Sequence, residues 1–179
     1  MTTSTVDKII EVAETQIRAG GYNACSFREI SKQIGIKSAS IHYHFPTKVD
    51  LGVAVANRYT QRFSDKLAQI AREHPNREAR LEHYIALFCY ALEVDKKMCL
   101  CGQLASETDI LPQPVQSEAR QFFIANQMWL EQHLCEEAAP ERAVMILASL
   151  EGALMMSKIL SSNTPLHSVQ QQLQCLLFC

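Results

Sequence analysis

Apolar residues recur at a helical period along almost the whole chain. In the first segment Val6, Ile9, Ala13 and Ile17 keep that spacing, and Gly20-Gly21 predicts the end of the helix. Similar patterns predict helices over residues 48–73, 77–94, 101–108, 115–137, 140–161 and 165–179. Nowhere do apolar and polar residues alternate as they do in a strand. We therefore expect an all-α fold of about nine helices once the two short helices described next are included.

Two short helices are predicted in the stretch that begins at Ser26. Ser26 and Glu29 have the spacing of a capping box, and Gly35 is placed to end the first helix. In the second helix Ile41 and Phe45 point inward, whereas hydroxyl, imidazole and phenol groups occupy the outer side. A glycine turn between two short helices is typical of a helix-turn-helix, whose second helix fits the major groove of DNA. The pattern alone also fits an ordinary amphipathic helix pair.

A family resemblance favours the first interpretation. Residues 42–51, HYHFPTKVDL, resemble the signature that closes the DNA-binding domain of the TetR family of bacterial transcriptional regulators. The similarity extends upstream through Gly20-Gly21-Tyr22 and covers about the first sixty residues. His42 stands where the family more often carries a phenyl or phenol ring. The resemblance implies a DNA-binding domain at residues 1–47 and a helical domain for effector binding and dimerisation at residues 48–179.

Candidate DNA contacts lie on and around the second short helix. Small hydroxyls, an aromatic ring and imidazoles suit a surface that meets base edges and phosphates. Lys48 starts the next helix, where a cation and free backbone N–H groups can hold one phosphate oxygen. Arg28 fits either a backbone contact or a solvated charge. The expected DNA-binding residues are Arg28, Lys37, Ser38, Ala39, Ser40, His42, Tyr43, His44 and Lys48.

Charge and composition are compatible with this arrangement. The net charge is −2, but residues 1–58 carry seven Lys or Arg against five Asp or Glu, so this part is +2 and the remainder −4. With 179 residues, of which 47% are hydrophobic, the chain can bury a sizeable core. We find neither a signal peptide pattern nor an apolar run long enough for a membrane span, and we expect a cytoplasmic protein without a membrane partner.

The predicted body contains aromatic residues suited to a small-molecule pocket. The helix over residues 48–73 belongs to both predicted domains, so it is the natural lever between a pocket and the DNA. Apolar walls with a few polar groups are typical of effector sites, although each of these residues also fits ordinary core packing. The candidate lining is Phe63, Tyr84, Phe88, Cys99, Cys101, Phe122, Phe123, Asn126 and Trp129.

Two C-terminal helices are candidates for a subunit interface. Residues 143–160, AVMILASLEGALMMSKIL, are apolar nearly all round the helix and carry a stripe of small residues. With the last helix they are predicted to form a four-helix bundle across a two-fold axis, which also resembles the family's dimer; the other interpretation is a central helix of the chain's own core. The candidate interface residues are Ala148, Ser149, Gly152, Ala153, Met156, Leu173 and Leu176.

Cysteine chemistry is a further possibility. Cys99 and Cys101 follow Lys96-Lys97 near a predicted helix start, where a lowered thiol pKa would favour a sensor of oxidants or electrophiles. The competing interpretation treats both as small buried hydrophobes. Seven cysteines, an odd number, indicate free thiols rather than a disulfide framework. A Cys-x-Cys pair supplies only two ligands, so we expect neither a metal site nor a cofactor.

Three classes of function follow from these patterns. The first is a homodimeric regulator, most simply a repressor, that binds a pseudo-palindromic operator in double-stranded DNA and is released by a small-molecule effector or by thiol modification. The second, an enzyme, has little support because the sequence lacks a nucleophile elbow, a phosphate loop and HExxH. The third is a helical protein-interaction module without sequence-specific DNA binding.

Overall fold

A computed structural model describes residues 4–134 and 139–178, and the side chains of residues 139 and 176–178 also lie outside that description. Within these ranges the chain is all-α, as predicted. The helices are α1 (Thr5–Gly20), α2 (Phe27–Ile34), α3 (Ser38–His44), α4 (Lys48–Glu73), α5 (Arg77–Glu93), α6 (Leu100–Ala105), α7 (Gln113–His133), α8 (Ala139–Leu160) and α9 (Thr164–Phe178), with a short 3-10 helix at Tyr22–Ala24.

The helices form two compact units. One unit comprises Met1–Gln61 with Leu100–Gln121, and the other comprises Arg62–Cys99 with Phe122–Cys179. Helices α4 and α7 each contribute residues to both units. The functional division after residue 47 stays a prediction, because a division by contacts does not show which part binds DNA.

In the first unit, α1 begins and ends as its sequence predicts. The Ser4 side chain accepts the Asp7 N–H at 3.1 Å and so caps the helix. At the other end Gly21 has φ +83° and donates its N–H to the Ile17 carbonyl at 2.8 Å. Ile9, Ala13 and Ile17 are at most 1% exposed, which confirms the predicted apolar face.

The start of α2 differs from the prediction. Ser26 is the N-cap residue, but its side chain makes no capping hydrogen bond. Its backbone N–H instead donates to the Gln16 side-chain oxygen at 3.0 Å, so α1 holds the start of α2. The predicted end is confirmed, since Gly35 is left-handed with φ +73° and its N–H bonds to the Ser31 carbonyl.

Helix α6 is shorter than the predicted segment of residues 101–108. It ends at Ala105, where two side chains compete with the helical pattern. The Ser106 hydroxyl donates to the Gln103 carbonyl at 2.7 Å and the Thr108 hydroxyl donates to the Ala105 carbonyl at 2.6 Å. Glu107 then lies in a turn, from which its carboxylate accepts the Tyr22 N–H at 3.0 Å.

In the second unit, α8 packs against α9 and α5. Residues Pro140–Leu160 are the one span in the described residues that is long and apolar enough to cross a membrane, with a mean hydropathy of 1.7. Length and composition are weak grounds for such an assignment, because a core helix satisfies the same criteria. Ile146, Leu150 and Leu154 are fully buried within the unit, as in a core helix.

Candidate DNA-binding surface and regulatory core

Helix α3 is held by two buried side chains and presents polar and aromatic groups outward. Ile41 is 0% exposed and Phe45 is 7% exposed, so the helix is fixed in the first unit. Tyr43 on its outer side is 84% exposed, and His42 and His44 are exposed as well. A phenol exposed at this position can contact a base edge or a phosphate.

The small residues of α3 border a shallow groove. Ser38 and Ala39 are exposed and Ser40 is half-buried, as the sequence predicted for an outer face. The groove has a volume of about 450 Å³ and is lined by Thr5, Ile36, Ala39, Ser40, Tyr43 and His44. Short side chains at Ser38, Ala39 and Ser40 let another molecule approach the backbone of α3 closely.

His42 is fixed in orientation. Its ring meets the Phe27 ring edge to face at 4.8 Å, and its Nδ1 lies 3.3 Å from the Pro46 carbonyl oxygen. Since a carbonyl only accepts, Nδ1 carries the hydrogen in this contact. Nε2 is then the nitrogen that can accept a hydrogen bond from a base. The sequence did not predict the roles of Phe27 and Pro46, because a ring contact between two helices leaves no local pattern.

Lys48 lies at the N-terminus of α4 and is held in place. Its Nζ is 4.7 Å from the Tyr22 ring centroid and donates to the Asn23 carbonyl at 3.3 Å.

Helix α4 begins with a reciprocal capping box. The Thr47 N–H donates to the Asp50 carboxylate at 2.8 Å, and the Asp50 N–H donates to the Thr47 hydroxyl at 3.1 Å. The capping box is readable in the sequence as Thr-x-x-Asp, a signal that we did not predict.

The two remaining candidate cations are exposed. Lys37 occupies the N-cap position of α3 without a side-chain capping bond, and Arg28 lies in the first turn of α2. Both therefore belong to the same helix pair as the exposed face of α3, and the structure gathers all nine candidate DNA contacts within the first unit.

In the second unit, most of the candidate effector residues form one aromatic cluster. The Phe63 ring lies 5.0 Å from Phe122, 6.0 Å from Phe88 and 6.4 Å from Tyr84, measured between ring centroids. Phe123 joins the cluster through Phe122 at 5.4 Å. The rings meet largely edge to face, as well-packed aromatic cores do.

Polar groups lie at one side of this cluster. The Tyr84 ring stacks on Trp129 at 5.5 Å with an interplanar angle of 12°, and the Tyr84 hydroxyl donates to the Asn126 side-chain oxygen at 3.0 Å. The Asn126 amide donates to the Phe122 carbonyl at 2.8 Å. The indole Nε1 of Trp129 is buried without a hydrogen-bond partner. Burial raises the pKa of Tyr84 well above its usual value, so its phenol stays neutral.

Glu151 is a component of this region that the sequence analysis missed. It comes from α8, its two carboxyl oxygens are buried without a geometrically sound hydrogen bond, and burial raises its pKa to about 7. The Cys99 thiol acts in the opposite direction on that pKa, but less strongly. An acid within the apolar run LASLEGALMM is a signal in the sequence that could have identified it.

The two cysteines of the Cys-x-Cys pair are both buried. Cys99 is 2% exposed and belongs to the second unit beside Glu151, whereas Cys101 is 0% exposed and belongs to the first unit. Whether either cysteine lines an effector pocket stays a prediction. Their burial favours the interpretation as small hydrophobes over that as accessible reactive thiols.

One face of α8 is apolar and open. Its exposed side chains include Val144, Met155, Met156 and Ile159, and a Cβ placed on Gly152 would meet no atom within 4 Å. Ala148 is exposed and Ser149 is half-buried on the same helix. Two other candidate interface residues, Ala153 and Leu173, are each 3% exposed, so their side chains are largely covered within the single chain. The side chain of Leu176 lies outside the described residues.

Comparison with known families matches both parts of the chain. Residues 9–55 match the family described as bacterial regulatory proteins, tetR family. Residues 79–172, more than half of the chain, match the family described as transcriptional regulator LmrA/YxaF-like, C-terminal domain.

Individual relatives agree with these matches. A TetR transcriptional regulator from Legionella pneumophila has a crystal structure that is 32% identical, covers 98% of each chain and superposes with a TM-score of 0.93. The HTH-type transcriptional regulator LmrA of Bacillus subtilis is 24% identical over 96% of this chain and 95% of its own length. IcaR of Staphylococcus epidermidis, a negative transcriptional regulator of a biofilm operon, is 31% identical over 59% of this chain and 56% of its own length. The chain therefore belongs to the TetR family and is a ligand-responsive, DNA-binding transcriptional regulator.

Proposed function

We propose that this chain is a homodimeric repressor that inserts α3 into the major groove of a pseudo-palindromic operator and leaves the operator when a small molecule binds the second unit. The observation that carries the proposal is the exposure of Tyr43 on a helix whose opposite face, Ile41 and Phe45, is buried. IcaR, which is similar to part of this chain, is itself described as a negative regulator.

The proposed contacts divide into two kinds. Side chains of α3 from Ser38 to His44 read base edges, which supply specificity. Lys48 and the N-terminus of α4 bind a phosphate, which sets the position of α3 in the groove. Attraction between charges is screened over a short distance in salt. The small positive charge of the N-terminal part is therefore sufficient to attract DNA phosphates, although the whole chain is acidic.

The open face of α8 supports the proposed dimer. Exposed methionine, valine and isoleucine side chains on one helix face are unfavourable in water and favour a second copy of the same surface. Since a two-fold axis relates the two α3 helices, we expect the operator to contain inverted half-sites. Gly152 and Ala148 would allow the two copies of α8 to approach closely.

The aromatic cluster around Phe63 and Tyr84 is the proposed effector site. Both α4 and α7 contribute to both units, so a change in the second unit is transmitted along continuous helices. An effector that releases the operator must bind the DNA-free conformation more tightly than the DNA-bound one. The burial of Cys99 favours a bound small molecule over direct thiol modification.

Selection of duplexes from a random DNA library tests the proposal. We expect enrichment of a motif with two inverted half-sites, in complexes that contain two chains. Lys48→Ala should weaken binding to the selected duplex, whereas the matched control Lys66→Ala, which removes the same charge from an exposed site on the same helix, should not. A library that stays unenriched would contradict the proposal and favour a module that binds protein instead.

A further inference from the structure

Two buried polar groups in the second unit lack a strong hydrogen-bond partner. Both carboxyl oxygens of Glu151 are inaccessible to solvent and face the Cys99 thiol, a weak donor, and the indole Nε1 of Trp129 is buried without a hydrogen-bond partner. Leaving such a group unpaired costs about 1–3 kcal/mol, and more for a carboxylate. A ligand that donates hydrogen bonds to the Glu151 carboxyl would therefore recover much of this cost.

Both groups adjoin Tyr84. Trp129 stacks on the Tyr84 ring at 5.5 Å, and Glu151 and Cys99 are close enough to Tyr84 for their negative charge to raise the pKa of its phenol. The Tyr84 hydroxyl hydrogen is already donated to Asn126, whose own amide donates to the Phe122 carbonyl. These hydrogens are therefore not available to Glu151, and the nearby thiol is only a weak donor.

We infer that Glu151 recognises the effector, and that the effector is a small organic amine whose ammonium group binds the carboxylate while its apolar part packs against Tyr84 and Trp129. This inference rests on the proposed function of the second unit as an effector site. It adds the residue that selects the ligand and the chemical class that it selects.

The charge around Glu151 decides between ligand classes. An anionic ligand would meet a second acid beside a phenol and a thiol, neither of which supplies positive charge. A neutral ligand would pair with the protonated acid but gain no charge attraction. An ammonium group converts the acid, which burial holds at a pKa of about 7, into a paired carboxylate, and the faces of Trp129 and Tyr84 also attract cations.

Three probes of matched shape test this inference. Phenethylamine, phenethyl alcohol and hydrocinnamate share one apolar body and carry an ammonium, a hydroxyl and a carboxylate. Binding is measured by quenching of Trp129, the single tryptophan of the chain. We expect phenethylamine to bind about ten-fold or more tightly than phenethyl alcohol, because a charged hydrogen bond is worth about 1.5–3 kcal/mol, and hydrocinnamate to bind weakest.

The variant Glu151→Gln keeps the shape of the protonated acid and should fold normally, which circular dichroism checks. In this variant phenethylamine and phenethyl alcohol should bind equally within about three-fold. Glu141→Gln, at an exposed position of the same helix, is the matched control and should keep the preference for the amine. Equal binding of the three probes, tightest binding of hydrocinnamate, no saturable quenching by any probe, or an amine preference that survives Glu151→Gln would overturn the inference.

The same protein preparation is titrated with the selected operator duplex. The amine-binding role of Glu151 and the proposed DNA-binding function can then be rejected independently of each other. Operator binding without amine binding would reject the amine-binding role of Glu151 and leave the DNA-binding proposal intact. Amine binding to a protein that enriches no DNA would reject the regulator proposal instead. Release of the bound duplex by phenethylamine from the unmodified chain, but not from the Glu151→Gln variant, is the result expected when both hold.

Discussion

The Lys48 ammonium lies 4.7 Å from the centroid of the Tyr22 ring and donates to the Asn23 carbonyl at 3.3 Å. The backbone N–H of Tyr22 in turn donates to the Glu107 carboxylate at 3.0 Å. A long flexible side chain is thereby held in one region before DNA arrives, which reduces the entropy lost on binding. The third ammonium hydrogen remains suitable for a phosphate oxygen.

Removal of the Lys48 side chain should weaken operator binding at every sequence to a similar degree. A phosphate contact contributes about one unit to the slope of log affinity against log salt, so Lys48→Ala should reduce that slope by about one. Fluorescence anisotropy of a labelled duplex at several salt concentrations measures both effects. An unchanged slope would show that Lys48 makes no phosphate contact.

Tyr22→Phe should stabilise the protein slightly or leave its stability unchanged. The Tyr22 hydroxyl is buried without a hydrogen-bond partner, and burial is the main reason that its pKa is raised. Loss of an unpaired hydroxyl removes a desolvation cost of about 1–3 kcal/mol, while the ring that faces Lys48 is kept. Urea unfolding gives the free energy of unfolding, and a loss greater than about 1 kcal/mol would disprove the assignment.

Gly152→Arg should convert the dimer to a monomer without unfolding the chain. The open space around Gly152 means that a side chain there meets nothing within its own chain, so a change of mass must come from a second copy. Light scattering after gel filtration measures the mass, and circular dichroism measures the helix content. Glu82→Arg, at an exposed position of α5, introduces the same charge away from the open face of α8 and is the control. A Gly152→Arg protein that stays dimeric would place the interface elsewhere.

The sequence predicted the elements whose signals are local. Gly20-Gly21 ends α1, Gly35 ends α2 in a left-handed conformation, and the spacing of Ile41 and Phe45 identifies the buried face of α3. These helix ends and buried faces depend on residues only a few positions apart, so the local sequence pattern is sufficient to predict them.

The features that the sequence did not predict depend on contacts between distant residues. Gln16, ten positions earlier, accepts the Ser26 N–H that Glu29 would accept in the predicted capping box. Glu107 lies in a turn, where its carboxylate accepts a hydrogen bond from the backbone N–H of Tyr22, 85 positions away in the sequence. The buried carboxyl of Glu151 likewise depends on how α8 packs. The identity of a single residue in an apolar helix does not predict which residue of another helix it contacts.

Protein stability should fall with rising pH because of Glu151, and Glu151→Gln should remove this dependence. Burial raises its pKa from 4.5 to about 7, so the acid is protonated in both the folded and unfolded chain below pH 4.5. Between pH 4.5 and about 7 the unfolded chain has released this proton while the folded chain still holds it, so the free energy of unfolding falls as pH rises and levels off above about pH 7. The loss amounts to about 3 kcal/mol at most.

Urea unfolding at several pH values checks this effect. Relative to the unmodified chain, the free energy of unfolding of the Glu151→Gln variant should rise between pH 5 and pH 8. If the plots of this free energy against pH are parallel for the two proteins, the carboxyl group is not buried in its neutral form.

The most direct test of the account compares operator binding by the unmodified chain and by Tyr43→Ala. Tyr43 is 84% exposed, so its removal leaves the core intact, and helix content and dimer mass should not change. Anisotropy titration of the selected duplex should show an affinity loss of about ten-fold or more, since a base contact is worth about 1–3 kcal/mol. An affinity for that duplex equal to that of the unmodified chain would contradict the claim that α3 reads the operator.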